Sequence, residues 1–402
     1  MLSRLKFEIE GLFQEIYDER LPETLFMSET TTFADLQSAG LQSIIPLVNK
    51  LRKYGHSDEN IRNRVFAFME NDVYLNYVQV KNSDLPVTFD IYKESINMKF
   101  DVIVGNPPYQ INDKNSNKKA EKLWTKFIKK SYDLVNDGGY VSLVTPTSWL
   151  SGSKNITKGS YGVMDLFNEN NLLLIVKGFV FPDVSVSTHY WILKKDNTYI
   201  ETQVIDSVTS ETFNIDIKKG FYPSDLSKIK TSIIEKVFSK ESFEWIPATS
   251  MYTKWRKNAT TEQTELNNIC TYVKGGNFED VQYAYFNQEC KPELNTIKKV
   301  IVPLSGAEKF SPYIDINGEP FCCDSYVFPI KEDGITLESV SSVFYSKLFK
   351  FLIQNYRTSG FIQYPVVKKL PKLDLSKMWI DQEIFDFIGL TNDEKEFINE
   401  NL

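Results

Sequence analysis

The chain has 402 residues, a formal net charge of −7 at pH 7 and 42% hydrophobic residues, which is enough material for two domains with sizeable cores. No apolar run reaches the roughly 18 residues that cross a bilayer, and the N-terminal residues mix charges with apolar side chains, which excludes a secretory signal. The four cysteines form no CxxC pair and the two histidines give no metal-ligand spacing, so we expect a reduced cytoplasmic protein without a metal site or a membrane partner.

The first half of the chain predicts alternating strands and helices. Residues 30–36 predict a short strand, and residues 41–55 a helix that Gly55 ends. Further strands are predicted at 65–70, 87–90, 100–106, 140–146, 172–179 and 188–195, with an amphipathic helix at 118–139 that the pair Gly138-Gly139 closes. Continuous apolar strands between helices predict a mostly parallel, Rossmann-like α/β sheet that is covered on both faces.

The pattern changes near residues 198–215, where the segments become short, polar and irregular. We therefore predict two domains, residues 1–205 and residues 206–402, and expect the second to have an α+β fold. Near its end, residues 384–398 carry a helix signal in which Thr391 is the N-cap and Glu394 completes a capping box.

Polar residues end or directly follow four of the predicted strands: Asp35, Glu70, Asp90 and Asn106. Parallel sheets bind ligands beyond the carboxyl ends of their strands, so these side chains mark a candidate site. A single acid in such a position is more often a helix cap. Four in series favour a ligand site.

The tetrapeptide Asn106-Pro107-Pro108-Tyr109, which we call the hook, directly follows the strand at 100–106. Each proline fixes its own φ, lacks a backbone N–H and restricts the residue before it. The hook therefore offers two acceptors, the Asn106 side-chain oxygen and the Pro107 carbonyl, beside the aromatic face of Tyr109. A flipped adenine, which is planar and carries an exocyclic amino group, suits these features.

With this motif and the acidic strand ends before it, residues of about 25–195 resemble the gamma-type N6-adenine DNA methyltransferases, such as the modification enzymes of Type II restriction–modification systems. The resemblance implies base flipping in double-stranded DNA, S-adenosylmethionine as cofactor and a target-recognition domain after the methyltransferase domain. For the genetic context two alternatives stay open: a separately encoded restriction endonuclease as partner, or an enzyme that stands alone, as in a phage genome. The same tetrapeptide occurs in glutamine methyltransferases that modify release factors, so a protein or RNA substrate stays an alternative, as does a DNA-binding relative without activity.

The resemblance assigns cofactor contacts to Asp35 and Gly40, to Glu70 (with Asp72 as a competitor) for the ribose hydroxyls, to Asp90 for the cofactor adenine, and to Asn106. Leu41 departs from the family pattern, which has small residues there, and would crowd the cofactor. In the catalytic group, Asn106, Pro107 and Pro108 form the acceptor hook, and Tyr109 and Phe181 are expected to stack on the two faces of the base. Residues 144–150 would support the pocket wall, and His189 is interpreted as a packed core histidine.

The segment from Lys347 to Lys377 holds seven basic residues against one acid, Asp374, inside an otherwise acidic chain. Its cations alternate with aromatic residues, a composition that binds phosphates and stacks on bases, although a solvated lysine face is about as common. The predicted DNA-binding residues are Arg357, Lys368, Lys369 and Lys372.

Overall fold

The computed structural model describes residues 11–36, 41–92, 97–109, 123–150, 163–179, 188–219, 222–223, 225–248, 259–260, 268–273, 281–286, 294, 297–305, 310–318, 325–356 and 361–402. The chain divides into two compact units, Met1–Gly220 and Phe221–Leu402. This division lies beyond the predicted boundary of 205/206 because two further strands, at Thr202–Asp206 and Thr212–Ile215, continue the sheet of the first unit. These two strands are short and partly polar, so the sequence pattern does not predict them.

The strands of the first unit are β1 (Phe33–Leu36), β2 (Val65–Met69), β3 (Thr88–Ile91), β4 (Phe100–Gly105), β5 (Val135–Pro146), β6 (Asn171–Phe179), β7 (Thr188–Lys194), β8 (Thr202–Asp206) and β9 (Thr212–Ile215). In the described part of the chain they form one nine-stranded sheet in the order β3-β2-β1-β4-β5-β7-β6-β8-β9. Strands β1 to β5 are mutually parallel, whereas β7 is antiparallel to both of its neighbours. The predicted α/β fold with a mostly parallel sheet is confirmed.

The helices of this unit are α1 (Thr24–Met27), α2 (Ile44–Lys53), α3 (Asp58–Arg64), α4 (Asp72–Lys81), α5 (Leu123–Leu134) and α6 (Val163–Glu169), preceded by a π-helical turn at Ile16–Arg20. The helix α2 forms because its apolar residues recur at helical spacing, and Ile44, Leu47, Val48 and Leu51 are all buried. Successive residues of β4 and β7 are buried, so both faces of these central strands are covered.

The predicted boundary between the helix at 118–139 and the strand after it is wrong. We expected the helix to reach Gly138-Gly139 and the next strand to begin at Tyr140, but α5 ends at Leu134 and β5 begins at Val135. The glycines instead form an irregularity inside the strand pair β4–β5, where Phe100 pairs with Val135 and Val102 with Tyr140. Gly138 has φ +81°, a conformation that glycine adopts without strain.

In the second unit, the strands β10 (Ile246–Ala248), β14 (Lys299–Pro303), β15 (Tyr313–Asp315) and β16 (Ser325–Pro329) form an antiparallel sheet in the order β10-β16-β14-β15. A separate antiparallel sheet contains β11 (Ala259–Thr260), β12 (Asn268–Val273) and β13 (Val281–Phe286). The helices are α7 (Lys228–Phe238), α8 (Leu337–Phe344), α9 (Lys347–Asn355), α10 (Tyr364–Val367), α11 (Asp381–Ile388) and α12 (Asn392–Glu400). Antiparallel strands followed by a run of helices confirm the expected α+β character.

The predicted capping box is confirmed at the start of α12. The Thr391 side chain accepts from the backbone N–H of Glu394, and the Glu394 carboxylate accepts from the backbone N–H of Thr391. Gly389, with φ +84°, separates this helix from α11, so the predicted segment contains two helices rather than one. No helix in the described residues combines the length and the apolarity that a membrane span requires.

Candidate active site

The strand order locates the candidate site. Strands β2 and β3 lie on one side of β1, and β4 and β5, which follow later in the chain, lie on the other side. The order therefore reverses between β1 and β4. In open parallel sheets, ligands bind at such a switch point, beyond the carboxyl ends of the two strands. The hook directly follows β4 at this position.

The strand register aligns the four polar strand ends. Asp35 of β1 lies level with Val104 of β4, two residues before Asn106. Asp90 of β3 lies level with Phe68 of β2, two residues before Glu70. The structure therefore brings Asp35, Glu70, Asp90 and Asn106 to one edge of the sheet, within about three residue steps of one another along the strand direction.

Asp35 is buried, with 3% of its surface exposed. Its carboxylate accepts a hydrogen bond from the hydroxyl of Ser43, the residue directly before α2. Burial raises the pKa of Tyr17 well above its ordinary value, and the negative charge of the nearby Asp35 raises it further. The hydrogen bond between Ser43 and Asp35 thus joins the start of α2 to the end of β1.

Leu41 has φ +61°, a left-handed conformation that is uncommon for a residue with a side chain. Its side chain is 3% exposed and belongs to the same hydrophobic cluster as Ile44 and Leu47. The residue type that departs from the family pattern is therefore accommodated by packing into the core. Gly40, the cofactor residue predicted beside it, lies outside the described residues.

Glu70 and Asp90 are exposed at the ends of neighbouring strands. The helix-cap interpretation does not hold for Glu70, because the side chain of Asn71 caps α4 by accepting from the backbone N–H of Tyr74. Asp72, the competing acid, lies in the first turn of that helix. Asp90 accepts from the backbone N–H of Ile91 at 2.7 Å. Both carboxylates thus face solvent at the same edge of the sheet as the hook.

Two hydrogen bonds of Tyr109 constrain the hook. Asn106 is half-buried, Pro107 is buried and Pro108 is exposed. The Tyr109 hydroxyl donates to Asn106 Oδ1 at 3.2 Å, and the Tyr109 carbonyl accepts from the backbone N–H of Leu123, the first residue of α5, at 3.2 Å. Burial raises the pKa of the Tyr109 hydroxyl above its ordinary value, so this group stays protonated.

Residues 144–150, which are predicted to support the pocket wall, are buried except for the half-buried Ser148. After β5 the chain forms a short 3₁₀ turn, Thr147–Trp149, and the Trp149 ring is fully buried 4.6 Å from the Phe167 ring. His189 is 1% exposed and its ring lies 6.3 Å from that of Trp149, which agrees with a packed core histidine. Phe181, the predicted second stacking residue, lies outside the described residues.

The sequence did not predict the residues that contact Asp35 and the strands near it. Ser43 and Tyr17 approach Asp35 from different segments of the chain, and no motif spacing relates them. The π-helical turn is also tied to the sheet, because Glu15 accepts from the Tyr190 hydroxyl at 3.0 Å and from Arg20 at 2.7 Å. Such partners follow only from the tertiary fold.

The predicted DNA-binding lysines of the second unit have different surroundings. The exposed Lys368 has its Nζ 5.5 Å from the centre of the Tyr364 ring, and Lys369 Nζ lies 5.8 Å from that of Phe238. Lys372 pairs with Glu241 at 3.0 Å, and this hydrogen bond raises the pKa of the lysine. Arg357 lies outside the described residues.

Residues 24–177 match the family model described as Eco57I restriction-modification methylase. The matched segment contains the strand ends at Asp35, Glu70 and Asp90 and the whole of the hook. The predicted resemblance to restriction–modification methylases is confirmed. We refer to residues 24–177 as the matched segment.

Three similar proteins show how much of this chain resembles known proteins. A protein of Mycoplasma pneumoniae (strain ATCC 29342 / M129 / Subtype 1) described as an uncharacterized adenine-specific methylase is 31% identical over 93 residues, which are 23% of this chain and 18% of that protein. The modification subunit of a putative type I restriction enzyme from Vibrio vulnificus YJ016 is 13% identical, with a TM-score of 0.39, covering 49% of this chain and 46% of that one. The type IIG restriction endonuclease BpuSI is 10% identical, with a TM-score of 0.42, covering 96% of this chain and 60% of that one. The chain thus spans less than two thirds of the length of each of these relatives.

Proposed function

We propose that this protein transfers a methyl group from S-adenosylmethionine to the N6 amino group of an adenine that is flipped out of double-stranded DNA. The observation that carries the proposal is the hook: two acceptors and an aromatic ring at the switch point of the sheet, inside the matched segment. The adenine-specific description of the Mycoplasma pneumoniae relative supports the choice of base.

The residues at the edge fit the cofactor. S-adenosylmethionine presents hydroxyl and amino donors, and the edge offers exposed carboxylates from adjacent strands, Glu70 after β2 and Asp90 in β3. Glu70 would hold the ribose hydroxyls and Asp90 the adenine amino group, while Asp35, Gly40 and Asn106 would complete the cofactor contacts. When bound, the cofactor supplies a methyl group made electrophilic by its sulfonium centre.

The protein's own contribution is positioning and electrostatics. The lone pair on N6 of adenine is conjugated into the ring, which makes the amino group a poor nucleophile. Asn106 Oδ1 and the Pro107 carbonyl would accept the two amino hydrogens and direct the lone pair toward the methyl group. Stacking on Tyr109, and on Phe181 from the other side, would hold the base at about 1–3 kcal/mol per ring contact.

We further propose that residues 206–402 include the target-recognition domain and bind DNA. The exposed position of Lys368 and the basic, aromatic composition around it support this assignment. We propose a separately encoded restriction endonuclease as its genetic partner, with an enzyme that stands alone as the alternative.

The test is to incubate the protein with unmethylated DNA and S-adenosylmethionine that carries a tritium-labelled methyl group. We expect label in the DNA that digests to N6-methyladenosine. Asn106→Ala should lower the rate by about a hundredfold or more, because it removes an acceptor that acts on the reacting group. Asn214→Ala, which removes an exposed asparagine on β9, is the matched control and should leave the rate unchanged.

Separate outcomes would contradict the proposal in different ways. Cofactor binding without label in the DNA would redirect the assignment to a protein or RNA substrate. No cofactor binding at all would identify a relative that has lost the activity.

A further inference from the structure

The amide of Asn106 can work as an acceptor in only one of its two orientations. Its oxygen accepts hydrogen bonds, whereas its NH2 group only donates them. A half-turn about the last side-chain bond exchanges the two groups at almost no change in shape. In the wrong orientation, Asn106 would present hydrogens to the hydrogens of an adenine amino group.

The contact between Tyr109 and Asn106 distinguishes these orientations. The Tyr109 hydroxyl donates to Asn106 Oδ1 at 3.2 Å. A phenol is a better donor than acceptor, because its oxygen lone pair is conjugated into the ring, so this partner favours the amide oxygen. A carbonyl oxygen has two lone pairs, and Asn106 Oδ1 can accept from Tyr109 and from a base at the same time.

The surroundings of Tyr109 keep its hydroxyl in place as a donor. Its backbone carbonyl is bound to the start of α5, and the two prolines before it restrict the chain between the two side chains. Burial raises the pKa of the hydroxyl, which therefore keeps its proton throughout the neutral and mildly alkaline range.

We propose that Tyr109 is a positioning residue through its hydroxyl, separately from the stacking assigned to its ring: the hydroxyl holds the Asn106 amide with its oxygen available to the substrate amino group. This inference rests on the proposed function. It predicts that removing the hydroxyl while keeping the ring lowers the rate of methyl transfer and leaves DNA binding intact.

The experiment is a double-substitution cycle on the full chain, with kcat and the KM for DNA measured at pH 8 and saturating S-adenosylmethionine. Tyr109→Phe keeps the aromatic face, so KM should stay within about twofold, while kcat should fall by about fivefold, the effect of losing one neutral hydrogen bond. The second arm places the same change in an Asn106→Asp background. A carboxylate has an acceptor oxygen in both orientations and needs no partner to orient it, so Tyr109→Phe should there lower kcat by less than it does in the asparagine background.

Each outcome decides the inference. A larger loss of activity on Tyr109→Phe in the asparagine background than in the aspartate background supports it. An equal loss in both backgrounds, or no loss in either, overturns it and leaves the proposed function standing. An inactive Asn106→Asp enzyme contradicts the acceptor role that the proposed function gives to Asn106, and the inference with it. A wild-type protein that does not label DNA contradicts the proposed function itself, and the inference with it. Circular dichroism of each variant separates these results from misfolding.

Discussion

Leu41 combines two opposing local effects. Its left-handed backbone conformation costs a residue with a Cβ about 1–2 kcal/mol, yet its side chain is buried in the cluster that contains Ile44. Burial of a leucine offsets that cost with about 1.5–3 kcal/mol. The position therefore accommodates a large residue, although glycine would remove the backbone strain.

This balance predicts an inverted order of stability for two substitutions. Leu41→Ala and Leu41→Gly both remove the buried side chain, and both should lower the free energy of unfolding. Leu41→Gly should nevertheless be the more stable of the two by about 1 kcal/mol, because only glycine adopts φ +61° without strain. Urea denaturation of both variants measures the difference. A Leu41→Ala protein that is the more stable one would show that the backbone strain at this site is negligible.

At the scale of elements, the strands that could be predicted are those made of continuous apolar residues, such as β4 and β7. Their order along the chain also predicted that Asp35, Glu70, Asp90 and Asn106 would share an edge, since parallel strands end on the same side. The end of α5 could not be predicted, because a glycine pair can close a helix or form a bulge, and the pairing with β4 decides between them. The Ser43–Asp35 contact likewise depends on how α2 packs, and no spacing in the sequence encodes it.

Glu394, in the predicted capping box at the start of α12, has a charge that should stabilise the fold. Glu394 completes the capping box and also pairs with Lys236 of α7 at 2.6 Å. Burial alone would raise the pKa of Glu394, but its bonds with Lys236, Ser232 and the backbone of Thr391 hold that pKa below its ordinary value. A carboxylate with a lowered pKa stabilises the folded state above the unfolded-state pKa, and this contribution is lost as the pH falls through the folded-state pKa.

Glu394→Gln keeps the side chain's shape and its ability to cap, but removes the charge. We expect the free energy of unfolding to fall by about 1 kcal/mol at pH 7. The difference from wild type should shrink as the pH drops below about 4, where the wild-type carboxylate also becomes neutral. Urea denaturation across this pH range tests the prediction. A loss that is independent of pH would assign the effect to packing rather than to charge.

At the scale of the whole molecule, the net charge of −7 opposes nonspecific attraction to DNA, so binding has to come from a local surface. Lys368 and Lys369 have their ammonium groups near aromatic rings, whereas Lys372 pairs with the carboxylate of Glu241. An ammonium group without a carboxylate beside it releases more counterions from DNA when it meets a phosphate. Lys368 and Lys369 should therefore contribute more to affinity than Lys372.

This argument predicts a salt effect that can be measured with the full chain. Substituting both Lys368 and Lys369 by alanine should weaken binding to all DNA sequences alike and reduce the slope of log affinity against log salt concentration by about 2, since each phosphate contact contributes about 0.9. Lys372→Ala should change the slope by less, because Glu241 already neutralises that lysine. Lys331→Ala, at an exposed site outside the basic segment, is the control and should leave the slope unchanged. Fluorescence anisotropy with labelled duplexes at several salt concentrations gives the slopes. If the double variant kept the wild-type slope, the DNA-binding surface would have to lie elsewhere on the molecule.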